Sequence, residues 1–366
     1  MDYPIKFEAA ILEKVNQPLK VDEVTFKGPL LFGQVLVNVN YSGICGKQIE
    51  ELEGVRPDPF IPHMLGHEGG GVVLDVGPGV DKVSKGDHVV LHWLKSKGKE
   101  AQTPHYTRSS NGERINAGWV TTFNELAVVS ENRITKIPKD IDFKIACLLG
   151  CCVTTGVGVM LNDVHPLPLE SVAVWGCGGV GLNAIQAAKL LHTYPIIAVD
   201  VNDKSLELAS KFGASHTINP LFCNAVEEIK KLTNPHGNTI IKDAKNYNLK
   251  EAGVDYVIVS LSDPETIESA INSGAIPGKV FIVGVPPYYS KITTNTFDIH
   301  ASRILKGSHG GGSIPDRDIN KYLLLYKKGL LMFNELISKE FVLNTINDGI
   351  DSVNAGGIGK CVINLT

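Results

Sequence analysis

A glycine-rich turn that joins an apolar strand to a helix constrains this chain most. Residues 172–175 suit a buried strand, residues 176–181 read G-C-G-G-V-G, and residues 182–191 repeat apolar side chains at helical spacing. In such a turn Gly176 permits the tight bend, Gly178 permits close approach of a pyrophosphate, and Gly181 lets the helix pack against the strand. The helix N-terminus offers N–H groups and a partial positive charge to phosphates. The stretch therefore predicts a dinucleotide-binding βα unit.

The position of Asp200 supports this prediction. Nineteen residues after Gly181, it ends a second apolar strand, where a dinucleotide site needs a carboxylate for the ribose hydroxyls. No arginine follows at 201–203 to receive a 2′-phosphate, and Asp203 would repel one, so we expect NAD rather than NADP. The alternative is a glycine-rich loop followed by an unrelated surface aspartate.

Length and composition limit the remaining possibilities. A chain of 366 residues is long for one core and favours two domains. A net charge of −4 with no block of like charge argues against a nucleic-acid partner. The sequence has no apolar run of about 18 residues, and its N-terminus lacks a signal peptide's apolar core, so we expect no membrane partner and a cytoplasmic location. Seven cysteines, an odd number, favour metal binding or burial over a disulfide framework.

Local patterns divide the chain into two kinds of structure. Residues 9–90 read as short strands broken by turns, residues 94–116 as one long polar loop, and residues 119–129 as strand again. From 171 to 290 strands and helices alternate, as a doubly wound parallel sheet requires, with a helix and a surface insertion at 222–250. We predict further helices at 142–160, 264–272, 318–328 and 345–354, and a closing strand at 360–364.

A second group of residues could bind a metal. Thiolates and imidazole are zinc ligands, and a catalytic zinc takes three protein ligands and keeps one position open. The candidates are Cys45, His67, Glu68, Cys151 and Cys152. Their wide spacing is not diagnostic, and composition alone favours buried cysteines and a histidine in a turn.

The residues around these candidates carry a family resemblance. The chain reads S-G-I-C at 42–45, G-H-E-G-G-G at 66–71, K-G-D-H at 85–88 and G-C-C-V-T-T-G at 150–156. With the glycine turn, these motifs resemble the zinc-dependent alcohol dehydrogenases of the medium-chain dehydrogenase/reductase family, from about residue 9 to the C-terminus. The resemblance implies an α/β fold. A Rossmann cofactor domain would span 154–300, and a mainly β, GroES-like distorted-barrel catalytic domain would span 1–153 and 301–366.

The resemblance also implies residue roles. Cys45, His67 and Cys151 would hold one catalytic zinc, with Glu68 beside the metal as an alternative ligand; Cys151 matches because it directly follows Gly150. Trp93 would form an aromatic wall of the substrate pocket. The cofactor would contact Thr155, Gly176, Gly178, Gly179, Val180, Gly181, Asp200, Val283, Val285 and Lys360, the last of these reaching the pyrophosphate. Alternatively, the valines and Trp93 belong to the core and Lys360 is solvated.

The sequence departs from the family at three points. Residues 94–116 contain no cysteine, so we expect no second, structural zinc. Gly46 stands where part of the family has a basic residue. Lys47 replaces the hydroxyl residue that relays the alcohol proton, and Glu50 replaces the relay histidine. Lys47 could accept that proton as a neutral amine, supply the pyrophosphate with the charge that Gly46 lacks, or be solvated.

The function implied is that of an NAD-dependent alcohol dehydrogenase or carbonyl reductase acting on a small molecule. Zinc would act as a Lewis acid on the substrate oxygen, and the nicotinamide would exchange hydride with the carbon. The alternatives are a zinc-free enone or quinone reductase of the same superfamily and a non-catalytic NAD-binding protein that has lost its relay.

The substrate and the assembly are less constrained. Loop 94–116 carries a basic excess, which favours a phosphorylated, carboxylated or nucleotide-linked polyol if the loop borders the cleft; otherwise the loop is a solvated surface. The basic residues are Lys95, Lys97, Lys99, Arg108 and Arg114. From the resemblance we expect a homodimer or homotetramer that pairs through a sheet edge near residues 281–287.

Overall fold

A computed structural model of the chain describes residues 2–55, 60–233 and 252–366. It divides into two compact units. The first unit comprises Met1–Thr154, Ile314–Lys327 and Phe333–Thr366, and the second comprises Thr155–Ser313 and Lys328–Met332. The domain boundaries predicted after residues 153 and 300 stay predictions.

The regular elements follow in chain order. The strands are β1 (Ile5–Leu12), β2 (Lys20–Phe26), β3 (Gln34–Gly43), β4 (His63–Met64), β5 (Glu68–Val76), β6 (His88–His92), β7 (Tyr106–Arg108), β8 (Arg114–Ile115), β9 (Leu126–Ser130), β10 (Ile134–Ile137), β11 (Val172–Trp175), β12 (Ile196–Val199), β13 (His216–Ile218), β14 (Val254–Val259), β15 (Gly274–Ile282), β16 (Ile304–Gly307), β17 (Ile337–Val342) and β18 (Lys360–Asn364). The α-helices are α1 (Gly46–Leu52), α2 (Phe143–Ala146), α3 (Cys152–Gly158), α4 (Gly179–Leu190), α5 (Asp203–Phe212), α6 (Ala225–Thr233), α7 (Pro264–Ser273), α8 (Thr296–His300), α9 (Pro315–Lys327) and α10 (Ile346–Asn354).

The first unit is built mainly from two sheets. One has the order β4-β1-β2-β7-β8; the other has the order β10-β6-β5-β3-β18-β17, with β9 also paired to β3. Alternating strand residues turn inward, so that Val37, Val89 and Ala127 are fully buried in one of the cores. This is the predicted mainly β domain.

Strand register brings three distant segments of the first unit together. β5 runs antiparallel to β3, with Ser42 opposite Gly69, so the end of β3 meets the start of β5. β18 also runs antiparallel to β3, with Val362 opposite Gly43. Residues that follow β3, precede β5 or begin β18 therefore lie close to one another.

The second unit contains a parallel sheet of six strands in the order β13-β12-β11-β14-β15-β16. Its central strands are apolar on both faces, as expected for a parallel sheet covered by helices; Val257 and Val280 are fully buried beside Ile267 of α7. The strand order steps outward in both directions from β11, as in a doubly wound fold. The predicted Rossmann fold class is confirmed.

Several local expectations need correction. Loop 94–116 contains the short strands β7 and β8, which polar residues such as Thr107 and Arg114 concealed. The predicted helix at 142–160 is broken into α2, a 3₁₀ turn at Cys147–Gly150, α3 and a π-helix at Val159–Val164. The insertion at 234–250 lies outside the described residues.

The predicted sheet edge also needs correction. Phe281 and Ile282 belong to β15, which pairs with β14 on one side and with β16 on the other. On this side of the sheet the edge strand is β16, and its four residues are too few to show a strand pattern in the sequence.

Within the described ranges, no single helix has the length and apolar composition to span a membrane. A bent pair, Phe143–Gly150 with Cys152–Val164, reaches the threshold on length and composition alone.

Candidate functional site

A cluster of three side chains in the first unit can bind a metal ion. The ligand atoms of Cys45, His67 and Cys151 lie within 4.8 Å of one another. Cys45 follows β3 and caps α1, His67 directly precedes β5, and Cys151 lies between the 3₁₀ turn and α3. In the part of the chain that the structure describes, this is the one such group of three or more His, Cys, Asp or Glu side chains.

The pKa values of the two thiols in the cluster are shifted in opposite directions. The pKa of the Cys45 thiol is lowered well below its usual value, chiefly by a hydrogen bond from the Cys151 thiol and further by the Lys360 ammonium. The pKa of the Cys151 thiol is raised well above its usual value, because it donates that hydrogen bond and is buried. Metal binding displaces thiol protons, so the pair is suited to a cation that accepts two thiolates.

His67 is held by a neutral side chain. Its Nδ1 lies 2.5 Å from Nε2 of Gln48 in α1, which leaves Nε2 of the imidazole as the ligand atom. Burial acts to lower the pKa of His67, but contact with the Cys45 sulfur and its charge outweigh burial and raise the pKa. Gln48 was not singled out from the sequence, because glutamine carries no metal-site signal without its spatial neighbours.

A buried ion pair lies beside the cluster. The Lys360 ammonium contacts Oε1 of Glu68 and donates to the Ile44 carbonyl at 2.7 Å. Glu68 is fully buried and Lys360 is 5% exposed, so the solvated alternative for Lys360 is wrong. Burial raises the pKa of the Glu68 carboxyl while Lys360 opposes that shift. Glu68 is not in the three-residue group; its part as a ligand, and contact of Lys360 with a pyrophosphate, stay predictions.

The donor set fits zinc. Two thiolates and one imidazole are zinc ligands, and three protein ligands leave the open position that a catalytic site needs. Cys152, the neighbour of Cys151, instead donates its thiol to the Leu148 carbonyl at 3.5 Å. The chemistry of the donors thus agrees with a catalytic zinc held by Cys45, His67 and Cys151.

The other predicted catalytic residues, Lys47 and Trp93, are not members of the three-residue group. The Lys47 ammonium pairs with the Glu50 carboxylate at 3.1 Å in α1, and both side chains are about a quarter exposed. Trp93 follows β6, is half-buried, and accepts a hydrogen bond from Arg133 through its carbonyl. The roles of Lys47 and Trp93 stay predictions.

The glycine turn in the second unit has the form that a dinucleotide site needs. It joins β11 to α4, and Gly176 adopts φ +90°. A Cβ on Gly181 would lie 1.8 Å from the Gly176 carbonyl oxygen, whereas a Cβ on Gly178 would enter open space. Asp200 accepts the Cys177 N–H at 2.7 Å, which ties the acid after β12 to the turn. A pyrophosphate therefore fits against this backbone.

The remaining predicted cofactor residues have mixed environments. Thr155 is buried, and its hydroxyl lacks a hydrogen-bond partner among the described residues. Val180 and Val283 are half-buried and Val285 is exposed, so none of the three valines lies fully in the core. Gly179 is half-buried and begins α4. Cofactor contact at these positions stays a prediction.

Comparison with known proteins agrees with both units. Residues 32–139 match the family model of the alcohol dehydrogenase GroES-like domain, and residues 179–327 match that of the zinc-binding dehydrogenase. The S-(hydroxymethyl)glutathione dehydrogenase of Paracoccus denitrificans is 30% identical over 98% of this chain and 100% of its own length. The chain belongs to the zinc-dependent alcohol dehydrogenases of the medium-chain dehydrogenase/reductase family.

Other members of the family are similar over the same length. The alcohol dehydrogenase class-3 of Cereibacter sphaeroides is 29% identical over 98% of this chain and 100% of its own length. The crystal structure of benzyl alcohol dehydrogenase from Acinetobacter calcoaceticus shares 26% identity and a TM-score of 0.85, covering 99% of this chain and 100% of that one. The crystal structure of an alcohol dehydrogenase zinc-binding domain protein from Burkholderia ambifaria shares 26% identity and a TM-score of 0.88 over the whole of both chains.

Membership in this family confirms the predicted fold class, enzyme class and type of reaction. The enzyme transfers a hydride between NAD(H) and an alcohol or carbonyl compound of small size. The zinc-free reductase and the non-catalytic alternative gain no support, because the cluster fits zinc and the relatives are dehydrogenases.

Proposed function

We propose that this alcohol dehydrogenase works with one zinc ion, held by Cys45, His67 and Cys151. The convergence of these three ligand atoms within 4.8 Å is the observation that carries the proposal. Bound there, zinc supplies Lewis acidity toward a substrate oxygen. Elemental analysis of desalted protein should find about one zinc per chain; two tightly held ions, or none, would contradict the proposal.

The proposed cofactor is NAD rather than NADP. The Asp200 carboxylate, beside the glycine turn, offers an acceptor to ribose hydroxyls and repels a 2′-phosphate. Asp203 adds a second negative charge nearby. Asp200→Gly should narrow the preference for NAD by relieving that repulsion. Equal use of both cofactors by the unaltered enzyme would contradict the assignment.

We further propose that the substrate carries a negative group. A cavity of about 460 Å³ in the first unit is lined by His67, Gln48, Glu51, Trp119 and Arg114. Of the basic residues in loop 94–116, Lys95 pairs with Glu100, Lys99 with Asp81, and Arg108 with Glu13, Asp22 and Glu113. Arg114 instead contacts Nδ1 of His105 at 3.0 Å, and no described carboxylate pairs with it. Its charge therefore remains free to meet an anion.

A substrate panel followed by NADH absorbance tests this proposal. The panel should pair neutral alcohols with phosphorylated or carboxylated polyols of similar size, and should include S-(hydroxymethyl)glutathione, which appears in a relative's name. Arg114→Gln should raise KM for anionic members by about tenfold and leave neutral members unchanged. Equal effects on both sets would refute the anionic preference. The exposed Lys97→Gln serves as the control for a change of net charge.

The proposed assembly is a homodimer or homotetramer. β16 pairs only with β15 among the described residues, and such an open edge favours pairing with a second chain. A clean monomer in sedimentation at micromolar concentration would contradict this. We also propose a cytoplasmic location, which the seven free cysteines favour.

A further inference from the structure

The side chain of Gln48 contacts two of the three metal-binding residues. Its Oε1 accepts a hydrogen bond from the Cys45 backbone N–H at 3.2 Å, and its Nε2 lies 2.5 Å from His67 Nδ1. Gln48 is only 1% exposed, so solvent does not compete for either contact. The placement of Cys45 and of the His67 ring therefore depends on one amide group.

When His67 binds a metal through Nε2, its Nδ1–H needs a hydrogen-bond acceptor from this amide. A neutral imidazole that gives Nε2 to a metal carries its proton on Nδ1. That N–H needs an acceptor, which in metal sites is commonly a carboxylate, a backbone carbonyl or water. The Cys45 N–H needs an acceptor as well. Gln48 offers one oxygen, together with an NH₂ group that can only donate.

Neither orientation of the amide satisfies both donors. With Oε1 on the Cys45 N–H, the NH₂ group of Gln48 faces the Nδ1–H of metal-bound His67. With the amide rotated by half a turn, Oε1 accepts from Nδ1–H and the NH₂ group faces the Cys45 N–H instead. In each arrangement two N–H donors face each other in a buried site, which is unfavourable. A carboxylate at this position would accept from both.

We propose that Gln48 holds the zinc affinity of the Cys45–His67–Cys151 cluster below the value that a carboxylate at position 48 would give. Gln48 is a positioning residue, since it acts through His67 and the Cys45 backbone. The inference rests on the proposed zinc site. It predicts that the metal of this enzyme exchanges readily, and that one substitution, Gln48→Glu, converts it into a tightly held ion.

Chelator competition measures the effect directly. Wild-type, Gln48→Glu and Gln48→Met proteins, each loaded with zinc, are titrated with a chromogenic chelator and the zinc released is followed at equilibrium and over time. Gln48→Glu should hold zinc about tenfold more tightly or better, within the range found for such outer partners. Gln48→Met should lose less than about tenfold in zinc affinity. In the wild type, one of the two contacts of the Gln48 amide already places two donors against each other, so little is lost with the amide. Unchanged or weaker binding by Gln48→Glu, or a hundredfold loss in Gln48→Met, would overturn the proposal.

Gln34→Glu is the matched control. Gln34 is equally buried in the same unit, but its amide contacts Leu31 and Gln102 rather than the cluster. This variant should release zinc as the wild type does. A visible spectrum of the cobalt-substituted proteins should keep the same thiolate bands in Gln48→Glu, since the ligands are unchanged. A wild-type chain that binds no zinc would refute the metal site itself, whereas one bound zinc with no gain in Gln48→Glu would refute only the role of Gln48.

Discussion

Two regions of the first unit organise buried ionisable groups in opposite ways. In the metal cluster, two sulfurs and a ring nitrogen converge, and His67 Nε2 and Glu68 Oε2 are buried without a protein hydrogen-bond partner. Beside the segment 94–101, the buried carboxylate of Glu131 accepts hydrogen bonds from three backbone N–H groups. The first region offers converging ligand atoms to a cation, whereas in the second the carboxylate is paired with backbone donors.

Glu131 ties three points of the chain together. Its Oε1 accepts from the N–H groups of Asp81 and Lys82 at 2.7 and 2.8 Å, and its Oε2 accepts from the N–H of Lys99 at 2.7 Å. In part of the family a four-cysteine zinc site lies in the corresponding lobe, and this sequence has no cysteine there. The comparison shows two uses of buried ionisable groups. A buried carboxylate that accepts backbone N–H groups stabilises a loop, whereas converging ligand atoms without hydrogen-bond partners indicate a metal-binding site.

The largest expected effect concerns the cluster. Cys151→Ser removes a thiolate ligand, so zinc content should fall to a small fraction of one per chain and turnover by about a thousandfold or more. Metal analysis and NADH absorbance measure both. Cys152→Ser is the control, because its hydroxyl can still donate to the Leu148 carbonyl. Zinc loss in Cys152→Ser but not in Cys151→Ser would reverse the ligand assignment.

The next effect tests the ion pair beside the cluster. Lys360→Met leaves the Glu68 carboxylate buried without its cation and should lower the free energy of unfolding by about 3 kcal/mol. Denaturant unfolding of the zinc-loaded proteins gives the value. Adding Glu68→Gln should recover part of the loss, since no unpaired charge then remains. If the double variant is no more stable than Lys360→Met, the pair is not coupled as described.

The contrasting region should show a stability effect alone. Glu131→Gln places a donor where the backbone N–H groups require an acceptor, and should cost about 2 kcal/mol of unfolding free energy. Zinc content and turnover at low temperature should be unchanged. Lys95→Gln, which breaks a partly exposed ion pair in the same segment, should cost under about 0.5 kcal/mol. Zinc loss in Glu131→Gln would show that the two regions are not independent.

The smallest effect concerns Lys47. If Lys47 supplies charge to the pyrophosphate, Lys47→Thr should weaken NAD binding by up to about tenfold and leave the chemical step intact. Binding titrations and single-turnover rates separate the two quantities. Glu50→Gln removes the ion-pair partner of Lys47 but leaves the positive charge of Lys47 in place. This variant should therefore not weaken NAD binding. Intact NAD binding with slower turnover in Lys47→Thr would favour the proton-acceptor hypothesis.

The sequence predicted the parts of this protein that depend on residues close together in the chain. The glycine turn, Asp200 and α7 are encoded by local spacing, and α7 begins at the predicted Pro264 and ends one residue later than expected. The helix at 142–160 was predicted as continuous because apolar periodicity does not reveal where α-, 3₁₀- and π-geometry alternate.

Contacts between residues that are far apart in the sequence were decided only by the tertiary structure. Lys360 meets Glu68 across 292 positions, because β18 and β5 both lie against β3. Gln48 of α1 meets His67, and Glu131 meets Asp81 and Lys99, where helix and loop segments pack together. Sheet register fixes the first pair and tertiary packing fixes the others, and no spacing in the sequence encodes either between segments that are far apart. The sequence by itself therefore determined the family, the fold class and the candidate ligands. The residues that contact those candidates, such as Gln48 and Lys360, could be identified only from the tertiary structure.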